Sequence, residues 1–545
     1  MKNILIIATI AASYLSCAQT VGLQRHDAET LDDGYVLFAP ISSTNTFLID
    51  KCGKEVNRWN GTTRPGQSVY LLPNGDLLRT GNVNNNSFNA GGKGGLIQRM
   101  DWSGNILWSY TVSSTTELQH HDVKMLPNGN VLIISWELKT AAQAIAAGRN
   151  PALTAADVWS EKIIEVQPSG TNGGTIVWEW HLWDHLTQNF DASKPNYSAT
   201  ASEPGLINLN YNATANQEDW IHLNSVDYNP ALDQILLSSH GFDEVWIIDH
   251  STTTAQASSH SGGNSTKGGD LLYRWGNPLA YGNGTTASKV LDGQHNAYWV
   301  EAGFPYAGEI MIFNNGTGRN FSTVEIINTP QTGFTYNTSL PYAPATTSYT
   351  YNAGNTENFY AQNISGSQLL SNGNVLICNG PAGIFTEVNP AGNEVWKYTN
   401  PVNATGTIAQ GATAAQNAVF RATFYPTTFS GFSGRTLTTG GTLENSNSMS
   451  AGCTLTLSME EMSATISPFS IVQNPSSGSV SIYNPNHDPA QIITITNTAG
   501  QQVLSQKWKD AGDTLIIDIS SFKAGIYLVQ LDDNGKLQTQ KLIVN

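Results

Sequence analysis

Three histidines lie in similar local sequences, and imidazole is the side chain best suited to nucleophilic and proton-transfer chemistry near neutral pH. They occur in Gln119-His120-His121-Asp122, Trp220-Ile221-His222-Leu223-Asn224 and Gly293-Gln294-His295-Asn296. Each lies on a predicted strand just before a turn signal, so His121, His222 and His295 take comparable places in three separate parts of the chain. The fourth comparable strand, Gly366-Ser367-Gln368, carries no histidine.

Three interpretations of these histidines remain open from the residues alone. They are satisfied structural side chains, ligands of an open three-histidine metal site, or a nucleophile with neighbouring donors that hold an anionic group in transfer. Asp122 is the only acidic neighbour in the three segments. Asn224 and Asn296 carry amides, which donate hydrogen bonds to an anion more readily than they orient a metal-bound histidine.

A turn signature recurs along the chain before short apolar segments, which predicts an internal repeat. Asn-Gly and similar pairs supply the positive φ that a tight hairpin needs. The copies are Leu72-Pro73-Asn74-Gly75, Leu126-Pro127-Asn128-Gly129, Asn229-Pro230-Ala231-Leu232-Asp233, Ala307-Gly308, Leu370-Ser371-Asn372-Gly373 and a sixth, degenerate one at Ser433-Gly434-Arg435-Thr436-Leu437.

A second pair of strands that ends near tryptophan follows most copies. Four short strands per unit with a glycine turn are typical of propeller blades, and six copies predict an all-β, six-bladed β-propeller whose innermost strands bring the histidines together at a central channel. One or two large sandwiches are the alternative. The strand pairs run from Phe47 to Trp59, Ile97 to Trp108, Ile163 to Trp178 and Trp180, Trp246 to Trp275, and Phe385 to Trp396.

Composition limits the classes of partner. Only 12% of the 545 residues are charged, glycine is abundant (50 residues), and the formal net charge is −16. A nucleic acid or an anionic membrane would need a basic face, so we expect no nucleic-acid partner. No stretch of about 18 apolar residues lies inside the body of the chain.

The N-terminus carries an export signal. Lys2, the apolar run 4–12 and the small residues of Ser16-Cys17-Ala18 predict a signal peptide over residues 1–18. Cys17 also admits a lipoprotein interpretation, although Tyr14 and Leu15 match a lipobox poorly. Cys52, Cys378 and Cys453 remain in the mature chain, so at most one disulfide forms among them.

The C-terminal region differs in composition after residues 459–469, a predicted linker. Five short strands are predicted at 492–496, 502–506, 514–519, 525–531 and 537–544, enough for a small β-sandwich over residues 470–545. Pro475, Gly500, Gly525-Ile526-Tyr527 and Lys541-Leu542-Ile543-Val544 resemble the C-terminal sorting domain of the type IX secretion system. The resemblance implies a Bacteroidetes-type bacterium, transit through the periplasm and across the outer membrane, and type IX machinery as a partner of residues 470–545. An appended adhesion sandwich is the alternative.

The body of the chain, residues 19–458, resembles the arylsulfotransferase propeller family. The resemblance covers roughly residues 35–450. It implies transfer of a sulfuryl group from a phenolic sulfate ester to a phenol through a transient sulfohistidine, without adenosine phosphosulfate, any other cofactor or a metal. The motifs that carry it are His222-Leu-Asn224-Ser-Val-Asp-Tyr228, Leu237-Ser-Ser-His-Gly-Phe-Asp-Glu-Val-Trp-Ile-Ile-Asp249, Leu272-Tyr-Arg-Trp-Gly-Asn-Pro278, Gly293-Gln-His-Asn296, Ile312-Phe-Asn-Asn-Gly316 and Asn417-Ala-Val-Phe-Arg-Ala422.

The resemblance also implies roles. His295 matches the nucleophile, while His121 and the pair His222 and Asn224 match groups that hold the sulfuryl oxygens and protonate the leaving phenol. The expected substrate-binding residues are His120, His240, Gln294, Asn296 and Arg421.

This sequence departs from the family pattern in three places. His240 stands where the family commonly has arginine, and the loss of this permanent cation should weaken sulfate binding unless His240 is protonated or Arg274, Arg319 or Arg421 replaces it. Asn296 follows the nucleophile where relatives often carry a small or acidic residue, and the N-terminal sandwich of better-known members is missing. A non-catalytic surface propeller that binds sulfated, phenolic or glycan ligands and a metal- or quinone-dependent enzyme are the alternative functions.

Overall fold

The computed structural model describes residues 19–154, 156–199, 203–353, 359–445, 447–453, 469–472, 476–484, 492–497, 501–508, 513–533 and 536–545. The chain divides into two compact units, residues 1–455 and 456–545. The predicted signal peptide and residues 459–468 of the predicted linker lie outside the described residues. Both units are all-β, with only short helices between strands.

Within its described residues, the first unit contains six antiparallel sheets of four or five strands each, numbered here from 1 to 6. In order from the first strand outwards, sheet 1 has Pro65–Leu71, Leu77–Asn82, Gly95–Met100 and Ile106–Thr111; sheet 2 has Glu117–Met125, Val131–Lys139, Val158–Ser169 and Gly173–His181; and sheet 3 has Leu223–Asn229, Gln234–Ser239, Glu244–Asp249 and Tyr273–Trp275.

The remaining three sheets follow the same order along the chain, except where N-terminal strands join them. Sheet 4 has His295–Trp299, Ile310–Asn314, Thr323–Ile327 and Tyr349–Tyr351; sheet 5 has Gly366–Leu369, Val375–Asn379, Ile384–Val388, Glu394–Thr399 and Gly22–His26; and sheet 6 has Val419–Pro426, Gly34–Pro40, Asn45–Asp50 and Glu55–Asn60.

Short elements connect these sheets. Two-residue strands pair as Leu186–Thr187 with Ile207–Asn208, Gln331–Thr332 with Thr335–Tyr336, and Val402–Asn403 with Gly406–Thr407. In the part of the chain that the structure describes, the α-helices are Ala141–Ala146, Thr254–Ala257 and Ser448–Gly452, and the 3₁₀ helices are Pro151–Leu153, Leu182–His185, Pro278–Tyr281, Thr286–Ser288 and Ser430–Phe432. No helix among the described residues is long and apolar enough to span a membrane.

Hairpins join the first and second strands of sheets 1 to 5 at the first five turn signatures. Gly75, Gly129, Asp233, Gly308 and Gly373 in these turns all have positive φ. Glycine adopts this conformation without steric cost, and aspartate tolerates it better than most residues. The turn chemistry read from the sequence therefore sets the start of each of these five sheets.

The prediction of a sixth hairpin at residues 433–437 is wrong. The strand Val419–Pro426 instead pairs antiparallel with Gly34–Pro40, so sheet 6 is completed by the N-terminal part of the unit. Gly22–His26 likewise adds to the outer edge of sheet 5. A strand pairs with whichever edge lies beside it, and the local sequence does not identify a partner about 390 residues away.

Neighbouring sheets share buried apolar cores. Among the described residues, six hydrophobic clusters join sheets 1 with 2, 2 with 3, 3 with 4, 4 with 5, 5 with 6 and 6 with 1. The first strands also contact one another in succession, and Val419–Pro426 contacts Pro65–Leu71. Because both faces of each sheet are covered, strands such as Val131–Ile134 are apolar at consecutive positions.

The recurring tryptophans join one sheet to the next. Each lies on the last main strand of its sheet, and its indole Nε1 donates to a backbone carbonyl oxygen of the following sheet or of a loop leading into it. The pairs are Trp59 to Asp101 (2.9 Å), Trp108 to Gly173 (2.8 Å), Trp180 to Gly269 (2.7 Å), Trp275 to Pro344 (2.9 Å) and Trp396 to Lys51 (2.7 Å).

A disulfide between Cys52 and Cys453 ties the beginning of the first unit to its end across 401 residues. Cys378 is buried and free. One disulfide among these three cysteines agrees with the prediction.

The described residues of the second unit form two sheets. One contains Ser470–Val472, Ser479–Tyr483 and Thr514–Asp518, and the other has the order Gln502–Lys507, Ile492–Asn497, Gly525–Asp533 and Lys536–Val544. One hydrophobic cluster includes residues from both sheets, among them Ile482 and Val529. The five predicted strands are present, and the sequence analysis missed Ser470–Val472 and Ser479–Tyr483.

Candidate active site

The three candidate histidines lie on or directly before the first strands of three consecutive sheets. His121 lies within Glu117–Met125 of sheet 2, His222 immediately precedes Leu223–Asn229 of sheet 3, and His295 begins His295–Trp299 of sheet 4. Because these first strands contact one another, residues far apart in sequence become neighbours here.

The backbone is irregular at each of these positions. His121, His222 and Asn296 have φ values of 51°, 53° and 54°. The strand register shifts beside His121, Asn224 and Asn296. Positive φ is costly for residues other than glycine, and such irregularities redirect side chains and concentrate at functional sites. The bulges therefore mark these strand ends as candidates for function.

The imidazole rings form a continuous row. Ring centroids lie 4.5 Å apart for His121 and His222, 5.2 Å apart for His222 and His240, and 5.5 Å apart for His240 and His295. His121 and His295 are each 2% exposed, whereas His222 and His240 are partly exposed. Four imidazoles from three sheets thus lie side by side at the edge of solvent.

The hydrogen bonds of His295 determine which of its nitrogens carries the proton. Nδ1 lies 2.8 Å from Oδ1 of Asn315 and 3.1 Å from the carbonyl oxygen of Gly293. The amide nitrogen of Asn315 donates to the carbonyl oxygens of Ala361 and Ile364, which fixes its Oδ1 towards the histidine. Both groups near Nδ1 are therefore acceptors, so Nδ1 is an N–H donor and Nε2 holds the lone pair.

The remaining nitrogen of His295 is free to react. Among the described residues, Nε2 has no hydrogen-bond partner and is not enclosed. Burial lowers the pKa of His295 well below its usual value, and the nearby His240 adds to this effect. A neutral imidazole with an unshared pair on Nε2 is the form that attacks an electrophile.

His121 belongs to a buried chain of three titratable groups. Its Nδ1 lies 2.8 Å from Nδ1 of His120, and Nε2 of His120 lies 2.8 Å from Oε2 of Glu161. The second oxygen of Glu161 accepts the backbone N–H of Leu223 at 2.9 Å. Trp136 stacks on His120 with ring centroids 4.0 Å apart, so the middle ring has a fixed orientation.

Burial favours the neutral form of all three groups. It raises the pKa of Glu161 well above its ordinary value and lowers the pKa values of His120 and His121 well below theirs. A protonated Glu161 donates to Nε2 of His120, whose Nδ1–H then donates to Nδ1 of His121. Nε2 of His121 is consequently an N–H donor at rest.

His222 differs from the other three imidazoles because it has a carboxylate partner. Its Nδ1 lies 2.5 Å from Oδ2 of Asp219, whose other oxygen accepts the indole N–H of Trp136 at 3.1 Å. Burial lowers the pKa of His222, but the Asp219 carboxylate more than offsets this and raises it above the usual value. His222 is thus the imidazole in the row that most readily carries positive charge.

A pocket of about 370 Å³ opens over His222 and His240. Its wall also includes Asp219, Asp243 and Asp292. These carboxylates are paired: Asp219 binds His222, and the Lys289 ammonium lies 3.0 Å from Asp243 and 3.2 Å from Asp292. The pairing reduces the repulsion that bare carboxylates would exert on an anionic ligand.

The sequence profile of the family described as Arylsulfotransferase (ASST) matches residues 23–425. This chain belongs to the arylsulfotransferase family. A second profile, described as Secretion system C-terminal sorting domain, matches residues 471–545. This sorting domain of the type IX secretion system directs the protein across the outer membrane to the cell surface or the medium.

Comparisons with individual proteins are less informative. No curated protein matches the sequence. A protein of unknown function from Bacteroides caccae is 11% identical, with 72% of this chain and 98% of that chain covered and a TM-score of 0.40. Streptogramin B lyase is 10% identical (75% and 96% covered, TM-score 0.35), and a virginiamycin B lyase variant from Staphylococcus aureus is 11% identical (70% and 89% covered, TM-score 0.32).

His240 does not supply a cation in this structure, and the arginines considered as replacements have other partners. Burial lowers the pKa of His240 to about 4, so this imidazole is neutral at pH 7. Arg274 does not replace it, because its guanidinium is buried against Glu244 with Nε 2.9 Å from Oε1. Arg319 donates to Phe321 and Thr323 and is not part of the pocket wall.

Arg421 contacts Asp122, the residue that follows His121, and is not among the residues of the pocket wall. Its Nη1 lies 2.7 Å from the Tyr70 hydroxyl and 3.2 Å from Asp122. Its Nε and Nη2 are buried and have no hydrogen-bond partner among the described residues. Arg421 therefore keeps two donors to offer, although Asp122 neutralises its charge.

The other residues expected to bind substrate are buried and form hydrogen bonds with the protein around the site. His120 is fully buried between His121 and Glu161. Gln294 is also fully buried, and its amide nitrogen donates to Ser238, Ser239 and Glu244. Oδ1 of Asn296 accepts the backbone N–H of Ser367 at 2.9 Å. The amide nitrogen of Asn224 donates to the carbonyl oxygen of Gln294 at 2.7 Å, while its buried Oδ1 has no partner among the described residues.

Sequence reasoning assigned no role to four residues of this site. Asp219 precedes His222 by three residues, and this spacing is a signal that could have been noticed. Glu161 lies on the third strand of sheet 2, and Asn315 follows a strand of sheet 4, so only the fold brings them to the histidines. Gly92 packs directly on His121, where a Cβ atom would lie 1.9 Å from the ring; the glycine-rich turn 91–95 was not assigned a role.

Proposed function

We propose that this protein transfers a sulfuryl group from a phenolic sulfate ester to a phenol acceptor, with His295 as the group that is transiently sulfated. The family assignment supports the reaction class. The main support for the residue roles is the row of imidazoles from three sheets. His295 is at one end of this row, and its Nε2 carries no proton and has no partner among the described residues.

In the first step, Nε2 of His295 attacks the sulfur atom, and the bond between sulfur and the phenolic oxygen breaks. The developing phenolate takes the proton from Nε2 of His121. The sulfated imidazole of His295 gains positive charge on its ring, and its Nδ1–H is stabilised by Asn315 and the carbonyl oxygen of Gly293.

The buried chain behind His121 supplies the proton balance for this step. As His121 loses the proton on Nε2, His120 passes its Nδ1 proton to Nδ1 of His121, and Glu161 passes its proton to Nε2 of His120. Glu161 becomes a carboxylate, which still accepts the N–H of Leu223. In the second step the acceptor phenol attacks sulfur and gives its proton to Nε2 of His121, and the chain returns to its first state.

The charge on the sulfuryl oxygens requires donors that are present before the reaction. We assign the cationic donor to His222, because Asp219 favours its imidazolium form and leaves Nε2–H directed away from that carboxylate. His240 contributes a neutral imidazole between His222 and His295. The position that carries arginine elsewhere in the family is thus less important here than His222.

We infer that the six sheets are the blades of a β-propeller and that the second unit is a β-sandwich. The succession of first-strand contacts, the six shared hydrophobic clusters and the tryptophan hydrogen bonds support the propeller. The cluster shared by the two C-terminal sheets supports the sandwich.

The test is a transfer assay with a chromogenic aryl sulfate and a phenol acceptor. We expect the wild type to release the donor phenol at a rate that depends on the acceptor, and His295→Ala to lose this release by a factor of about 10³ or more. His181→Ala is the matched control, because His181 is a partly buried histidine on the last strand of sheet 2 and outside the row. Equal rates in the wild type and His295→Ala would contradict the proposal.

A further inference from the structure

A second cluster of histidine and carboxylate side chains lies apart from the imidazole row. His185 ends the 3₁₀ helix Leu182–His185 after sheet 2, while His260 and Asp270 belong to the loop that precedes the last strand of sheet 3. None of these three residues contributes to the site described above. One ligand atom from each of them lies within 4.8 Å of the other two.

Both histidines point to one oxygen atom. Nδ1 of His185 and Nδ1 of His260 lie 2.8 Å and 2.7 Å from Oδ1 of Asp270. The rings are 5.8 Å apart and nearly perpendicular, at 87°. Both nitrogens therefore lie beside the same carboxylate oxygen, and two imidazole nitrogens with a carboxylate oxygen are a donor set that zinc binds in proteins.

The tautomer of His185 is fixed by a backbone carbonyl. Its Nε2 lies 2.8 Å from the carbonyl oxygen of Ala257, which can only accept, so Nε2 carries the proton. Nδ1 of this fully buried ring faces the Asp270 carboxylate, so only a cation, either a metal ion or a proton, fits between the two atoms.

The residues around His185 fix its orientation, as the residues around a metal-binding histidine commonly do. Metal-binding histidines commonly donate their other N–H to a backbone carbonyl or a carboxylate. Trp180 lies parallel to His185 at 5.7 Å, and its indole donates to the carbonyl oxygen of Gly269. A Cβ atom on Gly269 would lie 2.5 Å from Nε2 of His185, so glycine allows the loop to approach this closely.

We propose that His185, His260 and Asp270 bind one divalent metal ion of the zinc type, with an open position for water beside the exposed His260. The ion joins the end of sheet 2 to the loop of sheet 3 and therefore stabilises the first unit. This inference does not depend on the sulfuryl-transfer proposal. The alternative occupant is a proton, with His185 as an imidazolium.

The test is metal content and affinity of the mature protein, purified with a tag that lacks histidine. We expect one zinc ion per chain by elemental analysis and a visible d–d spectrum typical of four-coordinate geometry when Co²⁺ replaces it. His260→Ala should weaken Zn²⁺ binding by more than about tenfold, because loss of even an outer-shell partner costs this much. His260 is exposed, so its replacement leaves the core intact.

His181→Ala is the matched control, since His181 also lies near two carboxylates, Glu137 and Glu179, but outside the cluster. It should bind Zn²⁺ as the wild type does, and Asp270→Asn should behave as His260→Ala. Wild-type protein without bound metal and without micromolar Zn²⁺ affinity would overturn the proposal in favour of the proton. Binding that His260→Ala and Asp270→Asn both retain would place the ion elsewhere and overturn it equally.

Discussion

Glu161→Gln is the substitution that isolates the proton chain from the rest of the site. A glutamine side chain has the same shape and keeps an oxygen that can accept the N–H of Leu223. In the wild type the Leu223 nitrogen lies 2.9 Å from Oε1 of Glu161. Its amide can also donate to Nε2 of His120. The amide cannot release that proton, so His121 receives no replacement for the proton that it gives to the phenolate.

The size of the effect depends on the leaving group. General acid catalysis contributes about 10²–10⁴ in rate, or roughly 3–5 kcal/mol of barrier, when the leaving group needs the proton. A nitrophenolate is stable without it. We therefore expect Glu161→Gln to slow transfer from phenyl sulfate by about 10²–10⁴ and transfer from 4-nitrophenyl sulfate by less than about tenfold.

The assay measures kcat/KM for a series of donors with one acceptor, because in a two-step mechanism this parameter reports the first half-reaction alone. The plot of its logarithm against leaving-group pKa should be steeper for Glu161→Gln than for the wild type. Glu179→Gln, a carboxylate beside a histidine in the same sheet, should leave the slope unchanged. An equal loss for all donors in Glu161→Gln would refute the relay and leave Glu161 a positioning role only.

Three further predictions follow from the charges and the disulfide. His240→Arg should lower the KM for the aryl sulfate by about tenfold, since one charge-assisted hydrogen bond contributes 1.5–3 kcal/mol; a KM unchanged relative to His240→Gln would contradict this. Burial lowers the pKa of His250, but its two carboxylate partners more than offset this and raise the pKa to about 9. The protonated His250 therefore stabilises the fold by at most about 3 kcal/mol. This stabilisation is complete below about pH 6.5 and is lost as the pH rises through 9. The difference in unfolding free energy between the wild type and His250→Gln should therefore shrink with rising pH, and a constant difference would contradict the assignment. Cys453→Ser should lower the free energy of unfolding by about 2–4 kcal/mol in denaturant titrations, and no change would show that the cross-link does not constrain the unfolded chain.

Local signals in the sequence predicted local structure well. The Asn-Gly turns and the apolar segments after them correspond to real hairpins because positive φ at glycine and a short run of apolar residues are properties of a few adjacent residues. The tryptophans ending most units were recognised, but their role was not, since each indole donates to a carbonyl of another sheet. The prediction of a sixth hairpin was wrong because Gly34–Pro40 pairs with a strand about 390 residues away.

The sequence indicated the histidines of the candidate site but not the residues that contact them. Motif spacing singled out His121, His222 and His295, whose rings do lie in one row with His240. The partners that set their protonation could not be found this way. Glu161 reaches His120 from another strand of its sheet, and burial, which sequence patterns report poorly for polar residues, shifts the pKa values.

The proposed mechanism requires a covalent bond between sulfur and Nε2 of His295. The most direct measurement mixes the protein with an aryl sulfate and no acceptor, follows the released phenol, and maps the modified peptide by mass spectrometry. We predict a burst of one phenol per chain, one added SO₃ on His295, and loss of that group when a phenol is added. Steady phenol release with no modified histidine, or a burst that His295→Ala retains, would contradict the mechanism.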